Sequence, residues 1–379
     1  MAAADPSRIV LSAPDLGQAE RDALLATFDD GWISSAAPLV ERFEQAFAEA
    51  VGLEAATAVS SGTAALQLAL HMLDLRPGDA VIAPTLTFIG GVAPIIHAGA
   101  RPVFVDCSPA DWNLDPDLLC DAFREIEREG LTARAIVPAD LYGQCCDIAA
   151  IRAIADRQGV PVILDSAEAV GATLNGRPAG HGAHAAAYSF NGNKIISTGG
   201  GGMLASNDTA LIACARHLAT AARLPAVHYE HAEVGFNYRM TGLAAALGVV
   251  QLRSLGDKVA RRRAIHAQYV RRLGSLAGVD FAPEAPGRQH TRWLTCMVMD
   301  REITGVSPDR LRLILEEAGV ESRPLWKPMH MQPAFREHRI IGSGVAETLY
   351  ANGLCLPSGS TLTDGQVHRV CDLVEAAVS

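Results

Sequence analysis

The sequence predicts an α/β fold with a mainly parallel sheet, and three observations support this prediction. Between Gly52 and Leu252, short apolar runs alternate with amphipathic stretches of helical length. Strands that are separated by helices form βαβ units, and these units build parallel sheets. The chain has 379 residues, enough for two domains, and its composition changes towards the C-terminus. We therefore expect a large α/β domain at 1–255 and a smaller α+β domain at 256–379.

The individual elements follow from the pattern of apolar residues. Short apolar runs predict strands at 80–83, 102–105, 135–137, 162–164 and 293–298. Apolar residues at helical spacing predict helices at 39–50, 62–73, 88–97, 147–158, 240–255, 308–318 and 364–378, and an arginine-rich extension continues the fifth to about 273. Parallel sheets bind ligands beyond the carboxyl ends of their strands. The residues just after each apolar run are therefore candidates for a functional site.

Charge, hydropathy and cysteine spacing exclude several classes of function. The net charge of -10 does not suit a general nucleic-acid binder. The sequence has no apolar stretch of the roughly 18 residues that a membrane span needs, and it begins without the pattern of a secretory signal. The eight cysteines form no CxxC pair, which is typical of reduced thiols and not of a disulfide framework or a zinc site. The expected location is the cytoplasm.

The segment Ser60-Ser61-Gly62-Thr63 opens a predicted helix and is a candidate anion site. The first amide groups of a helix have no partner within the helix, and they attract anions. A glycine and two hydroxyl groups would let a phosphate approach closely. The same residues also fit a plain Ser/Thr cap, so this segment alone does not decide between the two interpretations.

Two carboxylates follow the predicted strand at 162–164. Asp165 comes directly after it, at the edge where a parallel sheet meets its ligand. Asp165 could equally cap a helix that begins at Ala167, and Glu168 would then fit half of a capping box. The sequence leaves both interpretations open.

Lysine usage draws attention to Lys194. The chain has three lysines, Lys194, Lys258 and Lys327, against 29 arginines. Lys194 lies between the apolar run at 185–190 and the four glycines at 199–202. Glycines let the backbone approach a flat ligand, and an apolar site lowers the pKa of a lysine amine and makes it nucleophilic.

One cofactor, pyridoxal phosphate, needs all of these groups. It requires a lysine for its aldehyde, an anion site for its phosphate and a carboxylate that keeps its pyridine nitrogen protonated, so that the ring can take up electrons. An aromatic side chain that stacks on the ring is also useful. Phe88 follows the strand at 80–83 in a suitable place, although it could also be a core aromatic.

Seven blocks of sequence, in the same order, resemble the sugar aminotransferase family named for its DegT, DnrJ, EryC and StrS members, within the fold-type I pyridoxal phosphate enzymes. The blocks lie at 60–66, 84–88, 165–169, 189–194, 235–240, 323–328 and 353–359. The resemblance implies an aspartate aminotransferase-like fold with a mainly parallel, seven-stranded sheet in the large domain. It also implies a homodimer with shared active sites.

The resemblance also implies roles for single residues. Lys194 is expected to hold the cofactor as a Schiff base and to carry the catalysis, Asp165 to bind the pyridine nitrogen and Phe88 to stack on the ring. Glu168 is expected to contact the cofactor, at a position where many relatives carry Gln or His. The expected phosphate site comprises Ser61, Gly62, Thr63, Ser189 and, from the partner subunit, Asn237. Relatives usually carry bulkier residues where this chain has Gly90-Gly91, and commonly Ala at Ser166.

Glu168 and the segment 191–193 are most similar to the bacillosamine and legionaminic acid branch of the family. That branch aminates carbon 4 of UDP-linked 4-keto-6-deoxy sugars that bear a 2-acetamido group, and the expected amine donor is L-glutamate. The candidate substrate contacts are cationic, aromatic or small polar side chains: Trp32, Ser34, Asn193, Arg223, Tyr229, Arg323, Trp326 and Lys327. The two histidines at 228–231 are expected to belong to a substrate-side loop, and no metal site is predicted.

Several alternatives share parts of this pattern. A GDP-perosamine-type or carbon-3 sugar aminotransferase would use the same cofactor. A dehydratase of the same family replaces the lysine with histidine, so Lys194 argues against that activity. A cofactor-binding sensor or regulatory relative would be expected to lose Lys194 or Asp165, and this sequence has both.

Overall fold

In the computed structural model, which describes residues 8–378, helices and strands alternate as the apolar pattern predicts. The α-helices of this range are α1 (Gln18–Asp29), α2 (Pro38–Val51), α3 (Gly62–His71), α4 (Ala93–His97), α5 (Leu119–Arg128), α6 (Ile148–Gln158), α7 (Thr209–Ala219), α8 (Gly242–Arg253), α9 (Leu255–Leu273), α10 (Arg301–Thr304), α11 (Pro308–Glu317), α12 (Val345–Asn352) and α13 (Asp364–Val378). The strands are β1 (Ala55–Val59), β2 (Asp79–Pro84), β3 (Arg101–Val105), β4 (Thr132–Ile136), β5 (Ile163–Asp165), β6 (Thr173–Leu174), β7 (Arg177–Pro178), β8 (Ala185–Ser189), β9 (Gly202–Ser206), β10 (Val279–Phe281), β11 (Arg288–Gln289), β12 (Thr295–Met299), β13 (Arg323–Pro324), β14 (Ile340–Ile341) and β15 (Gly353–Leu356).

The central sheet has the strand order β1-β9-β8-β5-β4-β2-β3-β14. Parallel bridges between Ile136 and Val162 and between Ala139 and Asp165 join β4 to β5. Strand β9 is antiparallel to both of its neighbours, and the other pairs are parallel. The α/β fold and its mainly parallel sheet are thus confirmed. Seven strands run from β1 to β3, and β14 adds a short eighth strand at one edge.

Helix α2 shows how the sequence pattern builds the layer that covers this sheet. Pro38 occupies its first turn, and Gly52 follows its last turn with φ 63°, a conformation that glycine adopts without strain. Its buried apolar side chains recur every three or four residues: Val40, Phe43, Phe47 and Val51. Phe43 and Phe47 each lie 5.2 Å, centroid to centroid, from the Phe190 ring just after β8. The helix therefore supports the strand that leads to Lys194.

The C-terminal region forms a second, antiparallel sheet in the order β10-β12-β15-β13. Helices α9, α11 and α13 contribute to the hydrophobic core beside it, and Ile9 joins that core and bridges to Val320. Helices α8 and α9 are separated at Ser254, which has φ -98° and ψ 8°. We propose this break as the boundary between the two domains, next to the predicted division at 255.

Some predicted elements have different limits in the structure. The helix predicted at 88–97 is a 3-10 turn at Ile89–Gly91 followed by the short α4. Glycine is a poor helix former, and Pro94 lacks an amide hydrogen, so this stretch cannot form one regular helix. The strand predicted at 293–298 begins at Thr295, so Trp293 lies outside it. Among residues 8–378, no helix is long and apolar enough to cross a bilayer.

Candidate active site

A cavity of about 230 Å³ lies at the carboxyl ends of β2, β4, β5 and β8. This is the edge of the sheet at which the sequence pattern places a ligand site. The start of α3 and two aromatic side chains of the C-terminal region, Trp293 and Trp326, complete the wall. The cavity therefore combines residues that are far apart in the sequence, from Ser60 to Trp326.

The start of α3 forms one side of the cavity. Ser61 caps the helix, because its Oγ accepts a hydrogen bond from the Ala64 amide at 3.0 Å. The amide groups of Gly62 and Thr63 precede the first internal bond of the helix, and both residues line the cavity. The cap and anion-site interpretations of this segment are therefore compatible.

Close backbone packing brings β8 and β9 to this helix start. A Cβ at Gly62 would lie 3.1 Å from the Ser189 Cβ, and a Cβ at Gly202 would clash with the Ser61 backbone. Ser189 lines the same cavity. The two glycines are therefore needed to place a hydroxyl group beside the free amides, which is a suitable environment for a phosphate.

Asp165 ends β5 and also lines the cavity. Its Oδ1 accepts the Ala167 amide at 3.1 Å, but only turns follow it, so the helix-cap interpretation of Asp165 is wrong. A Cβ at Gly91 would lie 2.6 Å from Oδ2, so the glycine at this position makes room for the carboxylate. Burial raises the pKa of Asp165 to about 6, and the neighbouring Glu168 adds to the shift. A cation beside Asp165 would stabilise its ionised form.

Lys194 extends into the cavity from the loop after β8, and 13% of its side chain is exposed. Its Nζ lies 3.6 Å from Glu168 Oε1 and 3.8 Å from the centroid of the Trp293 ring. Burial lowers the pKa of this amine, and the negative charges of Glu168 and Asp165 oppose the shift. A buried lysine with a lowered pKa is suited to act as a nucleophile.

The loop before Lys194 is held in place by its backbone. The Asn193 carbonyl accepts hydrogen bonds from Ser12 Oγ at 2.7 Å and from Trp293 Nε1 at 2.8 Å. The Lys194 amide donates to the Asn191 carbonyl at 3.0 Å. These bonds fix the backbone directly before the Lys194 side chain, so the side chain begins at a defined position.

Tyr142 is a residue of the site that the sequence analysis missed. It has φ 53° and ψ 11°, a conformation that is strained for a tyrosine, and its amide donates to Glu168 Oε2 at 2.7 Å. Its hydroxyl accepts the Trp326 amide at 2.8 Å, and the two rings stack with centroids 6.1 Å apart. The general rule about strand ends points to Tyr142, since it follows β4. Trp293 was also missed, and no local pattern connects it to the cavity.

Phe88 lines the cavity with 51% of its surface exposed. The alternative interpretation of Phe88 as a core aromatic is therefore wrong. Its ring lies 5.3 Å from the Trp326 ring, centroid to centroid. A Cβ at Gly90 would lie 3.0 Å from the Phe88 ring, so a larger residue at this position would displace the ring.

The residues of this cavity fit pyridoxal phosphate. The fit rests on a lysine amine with a lowered pKa, a carboxylate at a strand end, a helix start with free amides, and a partly exposed aromatic ring. The predicted residues that share the cavity are Ser61, Gly62, Thr63, Phe88, Asp165, Glu168, Ser189, Asn193, Lys194 and Trp326.

The remaining predicted residues fall into two groups. Arg323 and Lys327 line a second cavity of about 580 Å³, which shares Asn193, Trp293 and Trp326 with the first. The other group is exposed and lines neither cavity: Trp32, Ser34, Arg223, Tyr229 and Asn237. A single chain therefore does not bring the whole predicted site together.

The segment around Tyr229 is an exposed loop. The Arg223 guanidinium lies 4.3 Å from the centroid of the Tyr229 ring, and His228 Nε2 lies 3.2 Å from a Glu230 carboxylate oxygen. Across the described part of the chain, no three His, Cys, Asp or Glu side chains are placed to hold a metal ion. The loop thus exposes the guanidinium cation of Arg223 and the aromatic face of Tyr229 to a ligand.

Fold and cavity together define the class of protein. The solved structure of the aminotransferase TlmJ from Streptoalloteichus hindustanus superposes with a TM-score of 0.89 at 33% sequence identity, over 97% of this chain and 98% of that one. The fold is that of the fold-type I pyridoxal phosphate aminotransferases, and the predicted cofactor and reaction class are confirmed.

The sequence comparisons identify the family. Residues 14–375 match the DegT/DnrJ/EryC1/StrS aminotransferase family, and the chain belongs to it. EpsN of Bacillus subtilis (strain 168), named as a pyridoxal phosphate-dependent aminotransferase, is 43% identical over 372 residues, which are 97% of this chain and 95% of EpsN. GDP-perosamine synthase of Caulobacter vibrioides is 38% identical over 372 residues, or 97% of each chain. The chain is therefore a sugar aminotransferase that acts on nucleotide-linked sugars.

Proposed function

We propose that this enzyme transfers the amine of L-glutamate to carbon 4 of a nucleotide-linked 4-keto-6-deoxy sugar, in the biosynthesis of a surface glycan or a glycoprotein sugar. The observation that carries the proposal is the meeting of Lys194, Asp165 and the start of α3 in one cavity. These groups come from different elements, and each supplies something that the cofactor needs. Pyridoxal phosphate supplies an electron sink for the transfer when it is bound.

Each cavity residue has a separate task in this proposal. Lys194 would hold the cofactor covalently and carry a proton at its Nζ, because its amine is shielded from solvent and has a lowered pKa. Asp165 keeps the pyridine nitrogen protonated, and Phe88 covers the ring. The phosphate is held by Ser61, Gly62, Thr63 and Ser189, which surround the helix start.

The first candidate substrate is a UDP-linked 4-keto-6-deoxy-2-acetamido hexose. Glu168 and the segment 191–193, which resemble the branch that handles acetamido sugars, support this choice. The second cavity supports a bulky substrate, since it adjoins the first and carries Arg323 and Lys327 at its wall. Arginine binds diphosphates through paired hydrogen bonds, and Trp326 offers a flat apolar face to a sugar or a base.

A GDP-linked sugar is the second candidate, because the relative from Caulobacter vibrioides is named GDP-perosamine synthase. A competition assay decides between the two. UDP-4-keto-6-deoxy-N-acetylglucosamine and GDP-4-keto-6-deoxymannose are offered at equal concentration with glutamate as donor. We expect the UDP sugar to be aminated faster. A clear preference for the GDP sugar would place the enzyme with the perosamine synthases and leave the cofactor residues unchanged.

We infer that a second copy of the chain completes the site. Asn237, predicted to reach the phosphate, is exposed and lies outside the cavity of its own chain. Large apolar side chains are exposed near it in sequence and around Trp32, which suits a covered surface. They are Phe28, Trp32, Ile33, Val227, Tyr229 and Val234. A homodimer would bury these side chains and could bring Asn237 to the neighbouring cofactor.

Subunit mixing tests this arrangement. Lys194→Ala and Asn237→Ala chains are each expected to be inactive, but half of the dimers in an equal mixture contain one chain of each kind. Such a hybrid has one intact site, so the mixture should regain about a quarter of the normal activity. A mixture of Lys194→Ala with Asp165→Asn chains is the control, and it should stay inactive because both residues line the same cavity. An active monomer in sedimentation would contradict the shared site.

A further inference from the structure

Glu168 is a second carboxylate in the cavity, beyond the one that the cofactor needs. Its residue surface is 8% exposed, and Oε1 faces Lys194 Nζ at 3.6 Å. A buried carboxylate is unfavourable unless it is paired or hydrogen-bonded. The only basic side chain paired with Glu168 is the reactive amine of Lys194, among the ion pairs of the described residues, so we ask what this carboxylate does in the reaction.

The backbone holds Glu168 in one orientation. The Tyr142 amide donates to Oε2 at 2.7 Å, and Tyr142 adopts a left-handed conformation, φ 53°, to do so. This bond occupies one carboxylate oxygen and leaves Oε1 directed at Lys194. Strain of this kind persists where the surrounding structure fixes it, and it is typical of functional sites.

The surroundings of Glu168 and Lys194 favour the exchange of a proton between these two side chains. Burial raises the pKa of Glu168 and lowers the pKa of Lys194, so the two groups differ less in proton affinity than they would in water. Asp165, the thiol of Cys296 and the Tyr142 hydroxyl lie within electrostatic range of Glu168. The Trp326 side chain favours the ionised form of Glu168 and so opposes the effect of burial on the pKa of this carboxyl group.

We propose that Glu168 takes up and returns the proton of the Lys194 amine. The proton moves from Nζ to Oε1, which turns the ammonium and carboxylate into a free amine and a carboxylic acid. The pair is neutral before and after the move, so no net charge is created in the buried site. A small rotation of the lysine closes the 3.6 Å gap, and such contacts tighten when substrate binds. The inference rests on the proposed role of Lys194, but not on the identity of the sugar.

Glu168→Gln tests the proposal in the cofactor-loaded enzyme. The amide keeps an acceptor for the Tyr142 amide but cannot carry the proton. A carboxylate next to the protonated Lys194–cofactor linkage raises its pKa, so the variant's visible absorption band should titrate about 1–3 pH units lower. The transfer of amine from glutamate to the cofactor, which needs no sugar, should slow roughly 10²-fold and lose one limb of its pH profile. Unchanged band titration and pH profile would overturn the proposal.

A second measurement covers the case in which Glu168→Gln binds the cofactor poorly. The cofactor-free protein is labelled with trace acetic anhydride over a range of pH, and mass spectrometry reads the three lysines separately. The midpoint for Lys194 should fall by about 1–3 pH units in Glu168→Gln, while Lys258 and Lys327 keep theirs. Glu284→Gln, which changes a carboxylate outside both cavities, should leave the Lys194 midpoint unchanged. A Lys194 midpoint equal to that of the native chain would reject the proton exchange, whichever sugar is the substrate.

Discussion

The Lys194 and Lys258 side chains are both largely shielded from solvent, and their surroundings differ in kind. The Lys258 side chain in α9 is 6% exposed, and its Nζ donates to the Asp15 carbonyl at 2.7 Å and to Gln251 Oε1 at 3.0 Å. The Lys194 side chain is 13% exposed, and its amine lies 3.6 Å from Glu168 Oε1 and 3.8 Å from the Trp293 ring centroid. Burial lowers the pKa of both amines.

Burial alone therefore does not identify a reactive lysine. An amine whose hydrogens are bound by short hydrogen bonds contributes to the structure, because those bonds would have to break before it could react. An amine held only by long contacts, next to a cavity, keeps its hydrogens for an incoming ligand. Lys258 belongs to the first kind and Lys194 to the second.

Replacing Lys194 is expected to have the largest effect. Lys194→Ala should abolish turnover and the visible absorption of the bound cofactor, because both the covalent link and the proton carrier are lost; the proton carrier alone is worth roughly 10²–10⁴-fold. Absorption spectra and steady-state assays measure the two effects. Lys258→Arg is the matched control and should retain both. The comparison fails if Lys194→Ala keeps both properties while a change at Lys258 or Lys327 removes them.

Asp165→Asn is expected to have the next largest effect on the rate. The electron sink weakens when the pyridine nitrogen is not held protonated, so most of the activity should be lost. The fold should persist, because the Asn carbonyl can still accept the Ala167 amide. Circular dichroism checks the fold, and single-turnover kinetics with glutamate check the rate. Near-normal activity would show that Asp165 only stabilises the turn at Ala167 and has no role in the reaction.

The same variant makes a separate prediction about stability in the cofactor-free protein. The pKa of Asp165 is raised from its ordinary 3.8 to about 6, so between these pH values the folded chain holds a proton that the unfolded chain has released. The stability due to this group therefore falls as pH rises through that window. Asp165→Asn should be more stable than the native chain above pH 6, by roughly 1–3 kcal/mol, and the gain should vanish in more acidic solution. Urea denaturation at several pH values measures it.

Lys258→Ala is expected to have the smallest effect on catalysis, but it should lower the free energy of unfolding measurably. The substitution removes two buried hydrogen bonds of a charged donor, which costs about 1–3 kcal/mol, while the Asp15 carbonyl keeps its bond from Gln251 Nε2 and Gln251 Oε1 keeps its bond from the Ser197 amide. Activity per folded molecule should stay normal. Urea denaturation and an active-site titration separate the two quantities. A loss of activity without a loss of stability would show that Lys258 takes part in the reaction.

Local patterns in the sequence predict the residues that a cofactor needs, because each follows a short apolar run or opens a helix. Asp165, Lys194 and the start of α3 were found in this way. Tyr142 and Trp293 were not, since their roles depend on a strained turn and on packing between distant segments. The contact between Glu168 and Lys194 is also invisible locally, although each residue was a candidate.

Three strands of the central sheet that were not among the predicted strands share a composition. Strands β1, β8 and β9 are rich in alanine, glycine and serine, which have little preference for strands by themselves. They form because neighbouring chains approach closely, as where Gly202 meets the Ser61 backbone. Close packing of small residues at the helix start is a property of the assembled sheet and leaves no periodic signal.

The anchoring of the Asn193 carbonyl has a practical consequence for producing the enzyme. Ser12 Oγ donates to this carbonyl and also accepts from Arg262 Nη2 at 3.1 Å, while the Leu11 carbonyl accepts the Ser358 amide at 2.8 Å. The N-terminal segment thus ties the reactive loop to the far end of the chain. Proteolytic trimming through Ser12 would remove them and loosen the residue next to Lys194, so intact mass at the N-terminus is a useful quality check for active preparations.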